Sequence, residues 1–451
     1  NRLALTHMQS NGRLRWVVLF LSCWIMFGNY YAFDNPAALG SLLKEHMAGT
    51  GTSKHFHVNF NLLYTLYSLP NIVLPVLITR LFQNNKTGSM LVILSFLCCV
   101  GQAVTAFGVQ KHSWTLMHIG RVIFGIGGES LSVAQTSLVS RWFRNNQLAL
   151  AVGLCLSVAR LGTVFNNTMS VYFAETFSVP AAMWAGFWSC VVSMICCVVS
   201  SWIDAYYLVE KPIVFEEINS VSWDRHSRTV SIDNSKPMYR DQNRSHHILT
   251  LGLLVIVCFL NYGCMVPYNN IASQMLLARF FPNDLIMANI GMSVPDTLAM
   301  ILVPVLGVYV DRTHGKLNVI MAGSISFMIG HFILGFTETK WAWGLAFLGV
   351  AYSSMLAFWP CVQGLAEEDD DNKVYAILTC AFNLAVTIVP MAVSVMVERD
   401  DVTFRACQGF FVFLASVSVS CCVLLQIMNY RYNNLKLNAK SERLEGVLKV
   451  L

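Results

Sequence analysis

At 451 residues, 55% of them hydrophobic and only 12% charged, with a mean hydropathy of +0.54, the chain is too apolar for a soluble globular protein and reads as a polytopic membrane protein. Its apolar runs are continuous and far longer than the roughly 10 alternating residues of a barrel strand, which excludes a transmembrane β-barrel. The net charge of +5 is explained below by topology and does not call for a nucleic-acid partner.

A membrane-crossing helix needs roughly 20 mostly apolar residues. The N-terminal NRLALTHMQSNGRLR is polar and leads into a run of spanning length, which is not the pattern of a cleavable signal peptide. Apolar runs follow near 16–33, 60–82, 88–110, 114–140, 147–171 and 182–207, and then near 248–276, 285–310, 316–337, 341–364, 372–397 and 403–430. The expected fold is therefore all-α, with twelve transmembrane helices in two six-helix bundles, 1–207 and 248–430. A polar linker covers 208–247 and a tail covers 431–451. The linker alternates basic residues (Lys211, Arg225, Arg228, Lys236, Arg240, Arg244) with Ser227, Ser231, Ser235 and Ser245; it reads as a tether, with regulatory phosphorylation as the alternative.

Placing both termini in the cytoplasm puts 21 of the 30 Lys and Arg on that side and seven on the other, with Arg121 and Arg160 inside spans, so the positive-inside rule favours this orientation. The 14 Cys lie almost entirely within spans and form no CxxC pair. They read as small apolar packing residues, with no disulfide framework or metal site implied.

Ionisable residues inside spans cost about 2.5–3.5 kcal/mol at a helix centre on insertion scales, and by default mark function. The fourth span, in GRVIFGIGGESLSVAQ, holds Arg121 and Glu129, and the fifth, in LSVARLGT, holds Arg160. At 1.5 Å per residue Glu129 lies about 22 Å along its helix from Trp114, and Arg160 about 20 Å along its helix from Gln147. Both sit near the midplane on antiparallel neighbours, so the two groups are expected to share a depth and a cavity. A carboxylate and a guanidinium at one depth suit the two ends of a zwitterion such as an amino acid or peptide. The competing reading is a structural ion pair of Glu129 with Arg160 or Arg121 that never meets substrate. Asp296, in SVPDTLAM of the eighth span, is a pore-lining polar residue or a proton-coupling site, and Arg121 has a structural or coupling role. His331 and His118 read as packing histidines. Tyr64, Tyr67 and Asn71 share one face of the second span, with Asn29, Tyr30, Phe33 and Asp34 on the first and Asn261, Tyr268 and Asn383 in the second half. These are candidates to complete the cavity, against a plain packing role.

Between the eighth and ninth spans the chain reads GVYVDRTHGK, which closely resembles the GxxxDRxGRR signature of the major facilitator superfamily. There Gly307 is expected to let neighbouring helices approach, while Asp311 and Arg312, followed by Gly315, latch a gate through charge and dipole contacts. The equivalent loop in the first half, PVLITRLFQNNKTG, has Thr79 at the place of the Asp, which argues against a symmetric pair of latches.

The likeness is narrower still. FGNYYAFDNPAAL, FNLLYTLYSLPNIVL, GRVIFGIGGESLSVAQ, LSVARLGT, VPYNNI and YSSMLAFWP resemble the matching stretches of the family of major facilitator superfamily domain-containing protein 1, a lysosomal uniporter of dipeptides. The resemblance implies alternating access, Glu129 and Arg160 as ligands of the dipeptide's amino and carboxylate ends, and Trp359, before Pro360, as a second-half contact at a softened helix. It also implies a single-pass glycosylated accessory protein that shields an unglycosylated carrier. The sequons at Asn85, Asn243 and Asn166 fall on the cytoplasmic side or within a span, so none is a usable acceptor. A lysosomal membrane is implied by the resemblance alone, with the plasma membrane or another endomembrane as alternatives. No nucleophile elbow, phosphate loop or metal-spaced His/Cys cluster is present, so an enzyme is disfavoured and no cofactor is expected. Two further readings stand beside the dipeptide uniporter: a proton-coupled transporter of another small nutrient or organic anion, and a non-transporting scaffold or sensor.

Overall fold

The structure is a computed structural model, and it describes residues 2–48, 55–74, 87–143, 148–210, 237–313, 315–358, 361, 371–400 and 402–431. Among them the regular elements are all helical, as they must be where no water is available to pair backbone groups. In chain order they are α1 (Arg2–Ile25), α2 (Phe27–Ala38), α3 (Gly40–Ala48), α4 (Phe56–Ser68), α5 (Thr87–Gln110), α6 (Trp114–Phe143), α7 (Leu148–Thr176), α8 (Val179–Glu210), α9 (Pro237–Arg279), α10 (Leu285–Thr313), α11 (Lys316–Phe336), α12 (Trp341–Ser354), α13 (Asp371–Arg399) and α14 (Arg405–Arg431). Short 3₁₀ turns, Pro70–Ile72 and Met355–Ala357, extend α4 and α12.

Nine helical stretches among the described residues are long and apolar enough to cross a membrane, from Leu14–Ala38 to Arg405–Arg431. The other three expected spans coincide with α4, α7 and α12. The described parts of α4 and α12 are short, whereas α7, with 29 residues, is long enough to span. The first span is two helices meeting at Met26, and α9 already begins at Pro237, inside the segment expected to be a linker. Residues 211–236 of that segment and the tail beyond 431 lie outside the described residues.

Within the first half α5 packs on α6 and α8, and α2 on α7 and α8; within the second, α11 packs on α12 and α14, and α9 on α13 and α14. The halves meet along three seams: α7 on α10, α4 on α13, and α2 with α3 on α9. One apolar core runs through these seams, from Leu39, Leu63 and Tyr64 to Val257, Tyr268 and Phe411. Large apolar side chains such as Phe20, Trp188, Trp202, Trp343 and Phe413 point outward, as a lipid-facing surface requires.

The cysteines are free and buried or half-buried. His331 is buried, with Nδ1 2.9 Å from the Gln408 side-chain oxygen, and His118 Nε2 is 3.1 Å from the Asn59 carbonyl. Asn166 is likewise buried, its side-chain oxygen accepting from Asn35 at 3.0 Å and from Ser170 at 2.7 Å.

Candidate substrate site at the seam between the halves

The charged residues converge where α2, α4, α6 and α7 face α9 and α10. On α6 the run GIGGES lets α4 come close. A methyl on Gly125 would collide with the backbone carbonyl of Tyr67, and one on Gly128 would stand 2.6 Å from the Tyr67 hydroxyl and 3.1 Å from the Asn29 side-chain oxygen. Asn71 fixes the register by donating to the carbonyls of both Tyr67 and Gly125 at 2.9 Å. The close approach brings the Tyr67 hydroxyl to 3.3 Å from Glu129 Oε1, where it donates to the carboxylate. Glu129 itself is half-buried, and among the described residues it makes no ion pair.

Arg160 has a partner, in the other half of the molecule. Its Nη1 stands 2.5 Å from Asp296 Oδ1, joining α7 to α10. The Asp296 side chain is only 2% exposed and that of Arg160 20%. Pro295 precedes it inside α10, where the absent N–H and the bulk of the ring disturb the helix beside the ion pair. The Glu129–Arg160 or Glu129–Arg121 ion pair of the competing reading does not form. Although α6 and α7 are consecutive, α6 packs mainly on α5 and α4, whereas α7 turns its inner face to α2 and α10, so equal depth does not bring the two groups together. Arg121 is fully buried instead, donating to the Phe33 carbonyl at 2.9 Å with its guanidinium over the rings of Tyr64 and Phe124 at 5.4 and 5.6 Å.

A third carboxylate belongs to the cluster. Asp34 on α2 is buried and accepts from Thr163 Oγ1 at 2.7 Å, and it lies within the electrostatic reach of Arg160, Arg121 and Asp296. Tyr30, one turn earlier, feels the charges of Arg160, Glu129, Asp34 and Asp296 together, and Tyr262 of α9 feels Arg160 and Glu129 from the other half. Asp34, Glu129 and Asp296 thus share one charged layer with Arg121 and Arg160, with Tyr30, Tyr67 and Tyr262 among them, in an interior where charges interact strongly.

Tyr64, Tyr67 and Asn71 do share a face, and it is turned onto α6: Tyr64 under Arg121, Tyr67 at Glu129, Asn71 at Gly125. Tyr268 packs in the second-half interior against His331 and Phe411. Asn383 is buried and donates along its own helix to the Thr379 carbonyl at 2.9 Å. Trp359 lies outside the described residues, as do the side chains of Asp311 and Arg312. Among the described residues a methyl on Gly307 would meet nothing within 4 Å, so the expected helix approach is not seen there. Gly315 caps α11, its N–H 3.3 Å from Thr313 Oγ1. Tyr262 was not legible as a site residue, since an aromatic in an apolar helix carries no signal of its own; its neighbour Asn261 is occupied with Ser324 and Ser418.

Helical halves that meet across a buried charged layer define a polytopic membrane transporter of the kind whose substrate sits at the midplane between repeats. The model of the Major Facilitator Superfamily matches residues 16–390, and the chain belongs to that superfamily. It is 28% identical over 442 residues to the cattle (Bos taurus) protein named lysosomal dipeptide transporter MFSD1, covering 94% of this chain and 88% of that one. The human (Homo sapiens) protein of the same name is 28% identical over 430 residues, covering 92% and 86%. Among solved structures the fold resembles the nucleoside transporter NupG, with a TM-score of 0.62 at 12% identity over 92% of this chain and 98% of that one. A POT family transporter in complex with a thioalcohol-conjugated peptide gives 0.61 at 13% identity, over 93% and 96%.

Proposed function

We propose that this protein carries dipeptides across a lysosomal-type membrane by alternating access, as a uniporter, with both termini cytoplasmic and the halves 1–207 and 248–430 rocking about the seam. The observation that carries this reading is the asymmetry of the charged layer. Glu129 accepts from a tyrosine hydroxyl and makes no ion pair among the described residues, while Arg160 stands on the next helix, and both lie within the electrostatic reach of Tyr30 and Tyr262. A dipeptide's ammonium placed at Glu129 and its carboxylate at Arg160 each gain a charge-assisted hydrogen bond, the stronger kind. The cattle and human relatives named as lysosomal dipeptide transporters support the substrate class and the compartment. Tyr67, Tyr30 and Tyr262 would line the space between, with Tyr64 and Asn71 holding the wall and Trp359, Tyr268 and Asn383 contributing from the second half. Gly307, Asp311, Arg312 and Gly315 would form the gate at the end of α10, and Arg121 would brace the layer. Asn166, buried in α7, is no acceptor for a glycan, in keeping with a carrier that relies on a glycosylated single-pass companion for protection.

The test is tracer uptake into proteoliposomes with a panel of dipeptides. Glu129→Gln and Arg160→Ala each remove one end of the clamp. Truncating one member of a buried charged contact costs about 2–5 kcal/mol, so apparent affinity should fall by roughly 30-fold or more. Saturable flux that persists unchanged in Arg160→Ala sinks the proposal. A substrate-driven change of vesicle pH would favour the proton-coupled reading, in which Asp34, Glu129 or Asp296 carries the proton.

A further inference from the structure

Arg160 is already bound. Its guanidinium meets a carboxylate at 2.5 Å, and that carboxylate comes from the opposite half of the molecule and is nearly inaccessible to solvent. A peptide carboxylate needs the same guanidinium, and a second anion beside the buried Asp296 carboxylate would meet its like charge at short range. We infer that Asp296 is the resident carboxylate of Arg160: an intramolecular stand-in for the substrate's C-terminal group that keeps α7 on α10 in the empty carrier and is displaced when a dipeptide binds.

Two features of the site fit a device of this kind. The pair is the one ion pair between α7 and α10 among the described residues, within a seam along which the two helices otherwise pack. Pro295, directly before Asp296, gives α10 a place to bend as the carboxylate withdraws. Tyr30 and Tyr352 lie within the electrostatic reach of Asp296, but the Tyr352 hydroxyl is held by Asn269, so a withdrawing carboxylate has no ready substitute for Arg160. The energetic logic is substitution. Breaking a buried ion pair by taking one member away is strongly unfavourable, but a ligand that supplies an equivalent carboxylate removes most of that cost. Opening of the seam is then tied to occupancy, and the competing carboxylate weakens apparent affinity by the fraction of carriers in which it is engaged. Selectivity follows too: a ligand without a free carboxylate cannot displace Asp296.

The inference rests on the dipeptide reading above, and the test separates the two. Asp296→Asn leaves the shape and withdraws the charge. In thermal-shift titrations with a dipeptide that the wild type transports, this variant should bind about tenfold more tightly than wild type, although the empty variant melts lower because Arg160 has lost its counter-charge. Asp296→Glu, which restores the charge, should return affinity toward wild type, and the amide of the same dipeptide should gain nothing from Asp296→Asn. Equal or weaker dipeptide binding by Asp296→Asn, with wild-type transport intact, overturns the displacement and leaves the dipeptide reading standing. No dipeptide-dependent shift in any variant, wild type included, overturns both. Should Asp296→Asn fail to fold, carbodiimide labelling of Asp296 in the wild-type protein decides the question: modification should rise several-fold when dipeptide saturates the carrier. Unchanged labelling overturns the inference.

Discussion

Gly125→Ala tests the packing that aims Tyr67 at Glu129. The added methyl would run into the carbonyl oxygen of Tyr67, with the carbonyl carbon at 2.8 Å and the α-carbon at 2.9 Å. Each of these atoms is backbone, so no side chain can swing aside and α4 itself must move. Overpacking of this sort costs about 1–3 kcal/mol, and an unyielding neighbour places it at the upper end. Against this, alanine in place of glycine within a helix gains about 1 kcal/mol, leaving a net loss of about 2 kcal/mol. Gly153→Ala on α7 supplies the control, because a methyl there meets nothing within 4 Å and should express only the favourable helix term. Thermal unfolding of the purified protein should therefore move in opposite directions, down by several degrees for Gly125→Ala and slightly up for Gly153→Ala. Retreat of α4 by a few tenths of an ångström also takes the Tyr67 hydroxyl, already 3.3 Å from Glu129, out of hydrogen-bond range, so dipeptide affinity should fall with stability. A Gly125→Ala protein as stable as wild type, or a Gly153→Ala protein that loses as much, would refute the account of GIGGES as a close-packing device.

Gly128→Ala shifts the balance from packing to function: its methyl meets the Tyr67 hydroxyl and the Asn29 side chain rather than backbone, so it should lower the unfolding midpoint less than Gly125→Ala while binding dipeptide several-fold more weakly in the same titration. Arg121→Met should lower the unfolding midpoint through loss of the bond to the Phe33 carbonyl and of two ring contacts, about 2–4 kcal/mol in sum, and Arg121→Lys should recover little of it because an ammonium cannot lie flat on both rings. Outside the spans, His46 is stacked on His112 at 4.2 Å with Nε2 3.1 Å from the Val109 carbonyl; burial holds its pKa below the ordinary 6.5, the nearby His112 acts the same way, and the Val109 bond opposes both. The unfolded chain thus takes up a proton first, so stability is full above about pH 6.5 and declines as pH falls below it. Melting curves between pH 7.5 and 5 should slope accordingly, and His46→Asn should flatten that slope; an unchanged slope counts against the assignment.

The helices were legible because the bilayer fixes their length and composition so tightly that apolar runs mark them almost one for one. The exceptions have local causes. The break at Met26 leaves no trace in hydropathy, and α7 packs as a span although it buries Asn166 and Asn167 and carries Arg160. Glu129, Arg160, Arg121 and Asp296 were legible for the complementary reason, since a charge in hydrocarbon is costly enough to demand a purpose. Their pairing was not legible. Depth along a helix follows from counting residues, but a partner depends on azimuth and on which helix of the other half lies opposite, and these are set by packing among elements far apart in sequence. Asp296 is 136 residues from Arg160, and nothing local to either names the other. Gly307 is of the same sort: the motif holds a glycine there, but whether a neighbour fills the space depends on how the halves sit.

The seams between the halves differ in what it costs to open them. Along α4 and α13 the contacts are Thr65 Oγ1 donating to the Thr387 carbonyl at 2.8 Å, the Cys380 thiol to the Ile72 carbonyl at 2.8 Å, and His55 near Glu398 at 3.6 Å with the histidine largely exposed. A threonine hydroxyl in a helix can return to a carbonyl of its own preceding turn, a thiol is a weak donor, and an exposed ion pair is worth about 0–1 kcal/mol. Each of these bonds can be exchanged at little cost. Arg160 and Asp296 have no such alternative, because parting them leaves two charges in a dry interior, a penalty of several kcal/mol unless another ion arrives. Among the described contacts, the resistance to separating the halves is therefore concentrated at the α7–α10 seam, where a substrate carboxylate has the chemistry to lower it. A carrier built this way has no need of strong latches elsewhere along the seams, which accords with the missing aspartate in the matching loop of the first half.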